Sequence, residues 1–143
     1  MEEKYEKTVE LKSNAVLSNY IKEFADDVKL NEFNLKQKSM LCSSIWAKWL
    51  SYLFLEKSNL QRIIDAKQKI LSSKLASSKN SSMLKLKSEE KLSENDENIQ
   101  KLNALFKCTQ DCIDYIERSL NILSSFGFNI KNTIDALKLQ LTH

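Results

Sequence analysis

Apolar residues recur along this chain at helical spacing. Val9, Val16, Leu17, Tyr20, Ile21, Phe24 and Val28 share one side of a helix and predict a first element over 4–28. Asp26, Asp27 and Asn31 surround its end, and Asn31 is a good N-cap for the next helix. From 32 to 78 no breaker interrupts the pattern, which predicts a single helix roughly 70 Å long at 1.5 Å per residue. A globular helix averages about a dozen residues, so this rod must pack on another long helix or on another subunit. Ser77, Ser78, Asn80, Ser81 and Ser82 then mark the one clear turn.

A third long helix, starting at Met83 or with Ser88 as its N-cap, is expected to end near Ser125. Its seam is Leu92, Asn95, Ile99, Leu102, Phe106, Thr109, Ile113, Ile116, Leu120 and Leu123. The steps alternate 3 and 4 throughout, a heptad pattern. Gly127 predicts a left-handed helix end, with Phe126 and Phe128 packed around it. A short last helix over 130–141 carries Ile130, Ile134, Leu137 and Leu141 at steps of 4, 3 and 4. A helix of about a dozen residues is marginal alone in water. Copies of the same stripe in a homo-oligomer are its economical partner.

The expected fold is therefore all-α: an elongated helical hairpin of two long helices, with a short N-terminal helix and a short C-terminal oligomerisation helix. The expected division is a helical domain over 1–125, with a basic segment at 31–79, and an oligomerisation segment over 126–143. Phe128, Ile130, Ile134, Leu137 and Leu141 carry the latter. Composition agrees, because 143 residues contain no Pro and one Gly, the residues on which turns and sheets lean. No run of about 18 apolar residues is present, so no membrane partner is expected. The opening Met1-Glu2-Glu3-Lys4 does not begin a signal peptide, and the expected location is cytosolic.

Catalysis finds little to work with. The only histidine is His143, and there is no Gly-rich phosphate loop or nucleophile elbow. Cys42, Cys108 and Cys112 are odd in number and without framework spacing, so reduced, buried thiols are expected, with no metal and no cofactor. The expectation is a protein that is not an enzyme.

Charge changes the picture more. The net +3 is uneven: residues 31–79 hold 9 basic and 3 acidic side chains, while residues 1–30 and 92–143 each hold 5 basic and 7 acidic. Along the long helix one heptad line reads Trp46, Leu53, Leu60, Lys67, Lys74. Lysine in a buried seam is costly to desolvate, so the core contact should end or splay near residue 64. Arg62, Lys67, Lys69, Lys74 and Lys79, with Lys48 earlier, then face Asp65 among small serines (Ser72, Ser73, Ser77, Ser78). Clustered ammonium groups between short hydroxyls suit a phosphate backbone. Only two arginines exist, Arg62 and Arg118, so base-specific readout is not expected. Trp46, Trp49 and Tyr52 are the aromatics that could stack on bases, although their spacing is also that of a core.

The stretch Ile45-Trp46-Ala47-Lys48-Trp49-Leu50 resembles the aromatic-x-Lys-Trp-Leu segment of the UvsY family, the recombination mediators of T-even-like bacteriophages. Ile113-Asp114-Tyr115 and Ser124-Ser125-Phe126-Gly127-Phe128-Asn129-Ile130-Lys131 are similar to that family's Leu-Asp-Phe and Gly-Phe-x-Ile-Lys pattern, with the same separation. The order of elements matches over about 30–141. The resemblance implies a homo-oligomeric ring, a hexamer or heptamer, that binds single-stranded DNA in the cytoplasm of an infected bacterial host. It implies help for the phage recombinase in displacing the phage single-strand-binding protein. It also implies DNA contacts late in the long helix, at a Lys-x-Arg-type motif. The nearest match is Ser72-Ser73-Lys74, where only Lys74 is basic, and Lys67 and Lys69 stand one to two turns earlier. The alternative reading is a helical structural or assembly scaffold without nucleic-acid binding.

Overall fold

A computed structural model describes residues 2–31, 33–77 and 97–142. Three helices account for nearly all of them: α1, Glu2–Val28; α2, Leu35–Ser77; and α3, Glu97–Thr142. The fold is all-α. Lys79, Leu92, Asn95, the expected turn at 78–82 and the expected helix start at Met83 or Ser88 lie outside the described residues.

α1 and α2 form an antiparallel pair. Their contacts run Tyr20 to Glu56, Glu23 to Tyr52 and Asp27 to Trp49, one chain position rising as the other falls. Asn31 closes the turn between them: its side-chain Oδ1 accepts from the backbone N–H of Phe33 (2.9 Å) and of Asn34 (3.0 Å). The helix itself begins at Leu35, three residues later than expected, and Asn34 takes the capping place, its carbonyl accepting from the Lys38 N–H at 2.8 Å. Asn34 braces the turn by donating from Nδ2 to the Lys29 carbonyl and accepting from the Asn31 N–H.

α3 runs antiparallel to α2 and lies against both other helices. Gly127 faces Cys42, Glu117 reaches Lys57, and Tyr115 meets Phe24 of α1. This double contact widens its buried arc. Ile113, Ile116 and Leu123 are buried on the expected seam, and Cys112, Ser119 and Phe126 form a further buried line beside it. Burial on two sides needs more than a two-position stripe. Ser119 is small enough for the crossing, and its Oγ donates to the Tyr115 carbonyl at 2.8 Å.

The core centres on Trp49, which is 0% exposed. Phe24 meets it edge-on at 5.2 Å and Tyr52 at 5.3 Å, geometries that favour the ring quadrupoles. Leu35, Ile45, Leu53, Ile113, Ile116, Leu123, Phe126 and Ile130 complete the cluster. Truncating a buried residue of Trp49's size costs about 3–5 kcal/mol.

Three expectations are corrected. The third helix does not end near Ser125, and no separate short helix comes after it: α3 is one helix of 46 residues. Gly127 lies within it, without the left-handed backbone expected there. A helical Gly costs only about 1 kcal/mol against Ala, and Leu123, Phe126 and Ile130 are buried on either side of it. Trp46 is not on the inner seam; it is 41% exposed, and Ile45, Trp49, Leu53 and Glu56 hold that line. Ile130 is buried in the chain's own core with Ile134 packed against it, so within one chain those two are already used. Phe128, Leu137 and Leu141 remain exposed.

Candidate nucleic-acid interface

The two halves of α2 treat their charges differently. In the first half, Lys48 lies between Glu23 (3.1 Å) and Asp27 (2.6 Å) of α1. Burial lowers its pKa, but the hydrogen bonds and charges of those two carboxylates outweigh burial and leave it raised. Asp27 also accepts from the Trp49 indole N–H at 2.8 Å, which fixes the ring at the core. Glu56 is buried and accepts from the Tyr20 hydroxyl at 2.8 Å. Burial first, then that hydrogen bond, holds the Tyr20 phenol well above its ordinary pKa. Tyr52 donates to Glu23 at 2.7 Å and is likewise raised, by that bond and then by burial.

Beyond Glu56 the packing loosens, and no residue of α2 past that point is fully buried among those described. The expected end of tight contact near residue 64 thus comes about two turns earlier. Here lie Arg62, Lys67, Lys69 and Lys74, with Asp65 as the one acidic residue of the segment 57–77. Asp65 accepts from Gln61 Nε2 at 3.0 Å. Arg62 and Lys69 are exposed, seven residues apart on one line. Lys67 and Lys74 are half-buried, also seven apart, on the line that continues Leu53 and Leu60. Lysine tolerates such a position because its stem packs while the ammonium reaches water. The sites expected together therefore form two short cationic lines, each spanning about 10 Å of helix. Lys48 stands apart from them, held by its two carboxylates.

Among the proposed stacking aromatics, Trp49 and Tyr52 are committed to the core cluster. Trp46 alone keeps an exposed face, and it stands about 24 Å along the helix before Arg62. The antiparallel register adds one cation that charge counting by segment concealed. Glu56 and Asn59 share a cleft with Leu105, Cys108, Thr109 and Cys112. Two turns further along, that register brings Lys101 alongside the Lys67 turn. The acidic total of 92–143 hides it.

The three cysteines are free thiols, and burial pushes Cys112 up to about 11, which keeps it protonated and unreactive at neutral pH. Among the described residues no group of three His, Cys, Asp or Glu could hold a metal ion. No helix among them is long and apolar enough to cross a membrane.

Residues 23–142 match the model of a family described as recombination, repair and ssDNA binding protein UvsY. No curated protein and no solved structure matches the chain.

Proposed function

This chain belongs to the UvsY family, and on that premise we propose that it is a recombination mediator that binds single-stranded DNA without sequence preference. It promotes loading of the phage recombinase in place of the phage single-strand-binding protein during homologous recombination and repair. It works as a homo-oligomeric ring of six or seven copies in the cytoplasm of the infected host, as a scaffold and not as an enzyme. The segment from 126 on joins the copies through Phe128, Leu137 and Leu141, with Ile130 and Ile134 anchoring the helix beneath them.

The observation that carries this reading is the segregation of charge on α2. Arg62, Lys67, Lys69 and Lys74 stand at the loosely packed end of a 43-residue helix, opposed in sequence by Asp65 alone. Each neutralised phosphate releases counterions. A few contacts per copy are weak, but copies tied together raise the effective concentration of every next contact.

Fluorescence anisotropy with an unstructured oligonucleotide at low salt tests it. Saturable binding that weakens steeply with salt is expected. No binding at low salt would leave the rival, a helical assembly protein whose basic end meets an acidic partner.

A further inference from the structure

The outward face of α2 carries a pattern that DNA binding does not use. Phe33, Gln37, Met40, Ser44, Ala47, Ser51, Phe54 and Ser58 succeed one another at steps of 4 and 3, and all eight are exposed. Phe33 is 95% exposed, Met40 76% and Phe54 65%. The line is thus made of apolar, small or neutral polar residues, starting from Phe33 in the turn before α2 and running over about 32 Å of the helix itself, from Gln37 to Ser58. None is charged.

Lys36 is exposed at the start of this stretch, and the charges after it are turned elsewhere. Between 37 and 61, α2 has four: Lys38, Lys48, Glu56 and Lys57. Lys38 donates to the Asp26 carbonyl, Lys48 pairs with Glu23 and Asp27, Glu56 accepts from Tyr20, and Lys57 approaches Glu117. A solvated helix face ordinarily carries charge. One helix diameter wide, this strip offers roughly 400 Å², within the range of the largest apolar patch on a typical monomer. The heptad spacing fits another helix, and the lack of cations does not fit a nucleic acid.

A receptor for it exists on the same chain. Between α2 and α3 a hollow of about 280 Å³ is lined by Cys42, Ser43, Trp46, Leu123, Ser124 and Gly127, none of them charged. Gly127 leaves it open: a Cβ there would meet only Cys42, at 3.7 Å. Met40 is two residues from Cys42, so strip and hollow lie at the same level along the bundle. That is the condition for copies standing parallel around a rotation axis to engage through them. Two different surfaces in contact give a head-to-tail interface, which closes into a ring when the rotation allows.

We propose that the outer strip of α2, from Phe33 to Ser58, is a subunit interface that seats on the Gly127 hollow of a neighbouring copy. Met40, level with the hollow, acts as the knob in that hole, and Phe54, about 21 Å further along α2, meets the same neighbour near the level of Glu117. The proposal rests on the reading of the chain as a homo-oligomer and adds to its C-terminal contact a second surface, in the middle of the bundle.

The test uses the full chain. Met40→Glu with Phe54→Glu alters exposed positions only, so circular dichroism should be unchanged while the light-scattering mass falls to that of smaller species. Gly127→Leu, which fills the hollow, should lower the mass as well. A photo-crosslinking residue at position 40 should attach to a second copy between Leu123 and Phe128. An unchanged mass in both variants overturns the proposal, as does crosslinking of position 40 to its own counterpart. Anisotropy on the same samples keeps the readings apart. Retained weak DNA binding by small species supports both, whereas wild type that assembles through this strip without binding DNA overturns only the mediator reading.

Discussion

The two halves of α2 are built from the same helix in the same phase, and they behave oppositely. Up to Lys57 its inner line is packed, and Lys38, Lys48, Glu56 and Lys57 meet partners on α1 and α3. Past Glu56 the same line is occupied by Leu60, Lys67 and Lys74 at intermediate exposure, and the cations accumulate. The first half therefore uses its polar groups to fix the fold, and we propose that the second offers its cations to a ligand. A count of lysines along the helix does not show this, because Lys48, paired with two carboxylates, and Lys69, exposed, count alike.

The largest effect should come from breaking the packed half. Trp49→Ala should lower stability by about 3–5 kcal/mol, measured by denaturant unfolding, because the ring is fully enclosed and its N–H is bonded to Asp27. Tyr20→Phe should cost about 1.5–3 kcal/mol, since it leaves the buried Glu56 without its hydroxyl donor. The same contact gives a pH signature. The unfolded phenol releases its proton near 10.0, while the folded chain holds Tyr20, Tyr52 and Lys48 protonated beyond their ordinary values. Their contribution is thus complete below about pH 10 and is lost as pH climbs through the raised folded values. Thermal unfolding should show a flat stability from neutral to about pH 8, above which the raised Cys42 and Cys112 thiols and then Tyr20, Tyr52 and Lys48 lose their contribution, with a smaller fall in Tyr20→Phe.

Smaller effects sharpen the contrast. Lys48→Ala should cost about 0.5–1 kcal/mol of stability, its ion pairs being partly exposed. It should weaken DNA binding less than Lys69→Ala, because Glu23 and Asp27 already offset its charge. Equal losses of affinity would erase the distinction between the halves. Gly127→Ala should raise stability by up to about 1 kcal/mol, since the added methyl meets Cys42 at ordinary contact distance in a helical backbone.

Much of the architecture is readable in the residues. The 3-and-4 steps from Ile99 to Leu123 place α3, the unbroken span after Asn31 places α2, and Asn31 closes the turn before it, although Asn34 takes the capping place. Gly127 is the misleading residue, because glycine so often marks a helix end. The register itself says otherwise: Leu123 to Ile130 is seven residues, and Gly127 falls on the seam position between them. A single glycine is too weak a signal to outweigh burial on both sides. Trp46 and Trp49 are three residues apart, and spacing alone does not say which faces the core; the partners Asp27 and Phe24 on α1 decide it. Lys101 is hidden because segment totals average over faces. The neutral strip from Phe33 to Ser58 is also present in the sequence, but it acquires meaning only once Lys38, Lys48, Glu56 and Lys57 are seen to point elsewhere.

Whether the loosely packed end of α2 holds the nucleic acid is decided by the salt dependence of single-stranded DNA binding, compared between wild type and Lys67→Ala/Lys69→Ala/Lys74→Ala. On single strands each phosphate contact contributes about 0.7 to the slope of log affinity against log salt. The triple variant should keep its mass and helicity, while the slope drops by roughly two per engaged copy and the affinity falls with it. An unaltered slope and affinity in a correctly assembled triple variant would contradict this assignment of the DNA-binding surface.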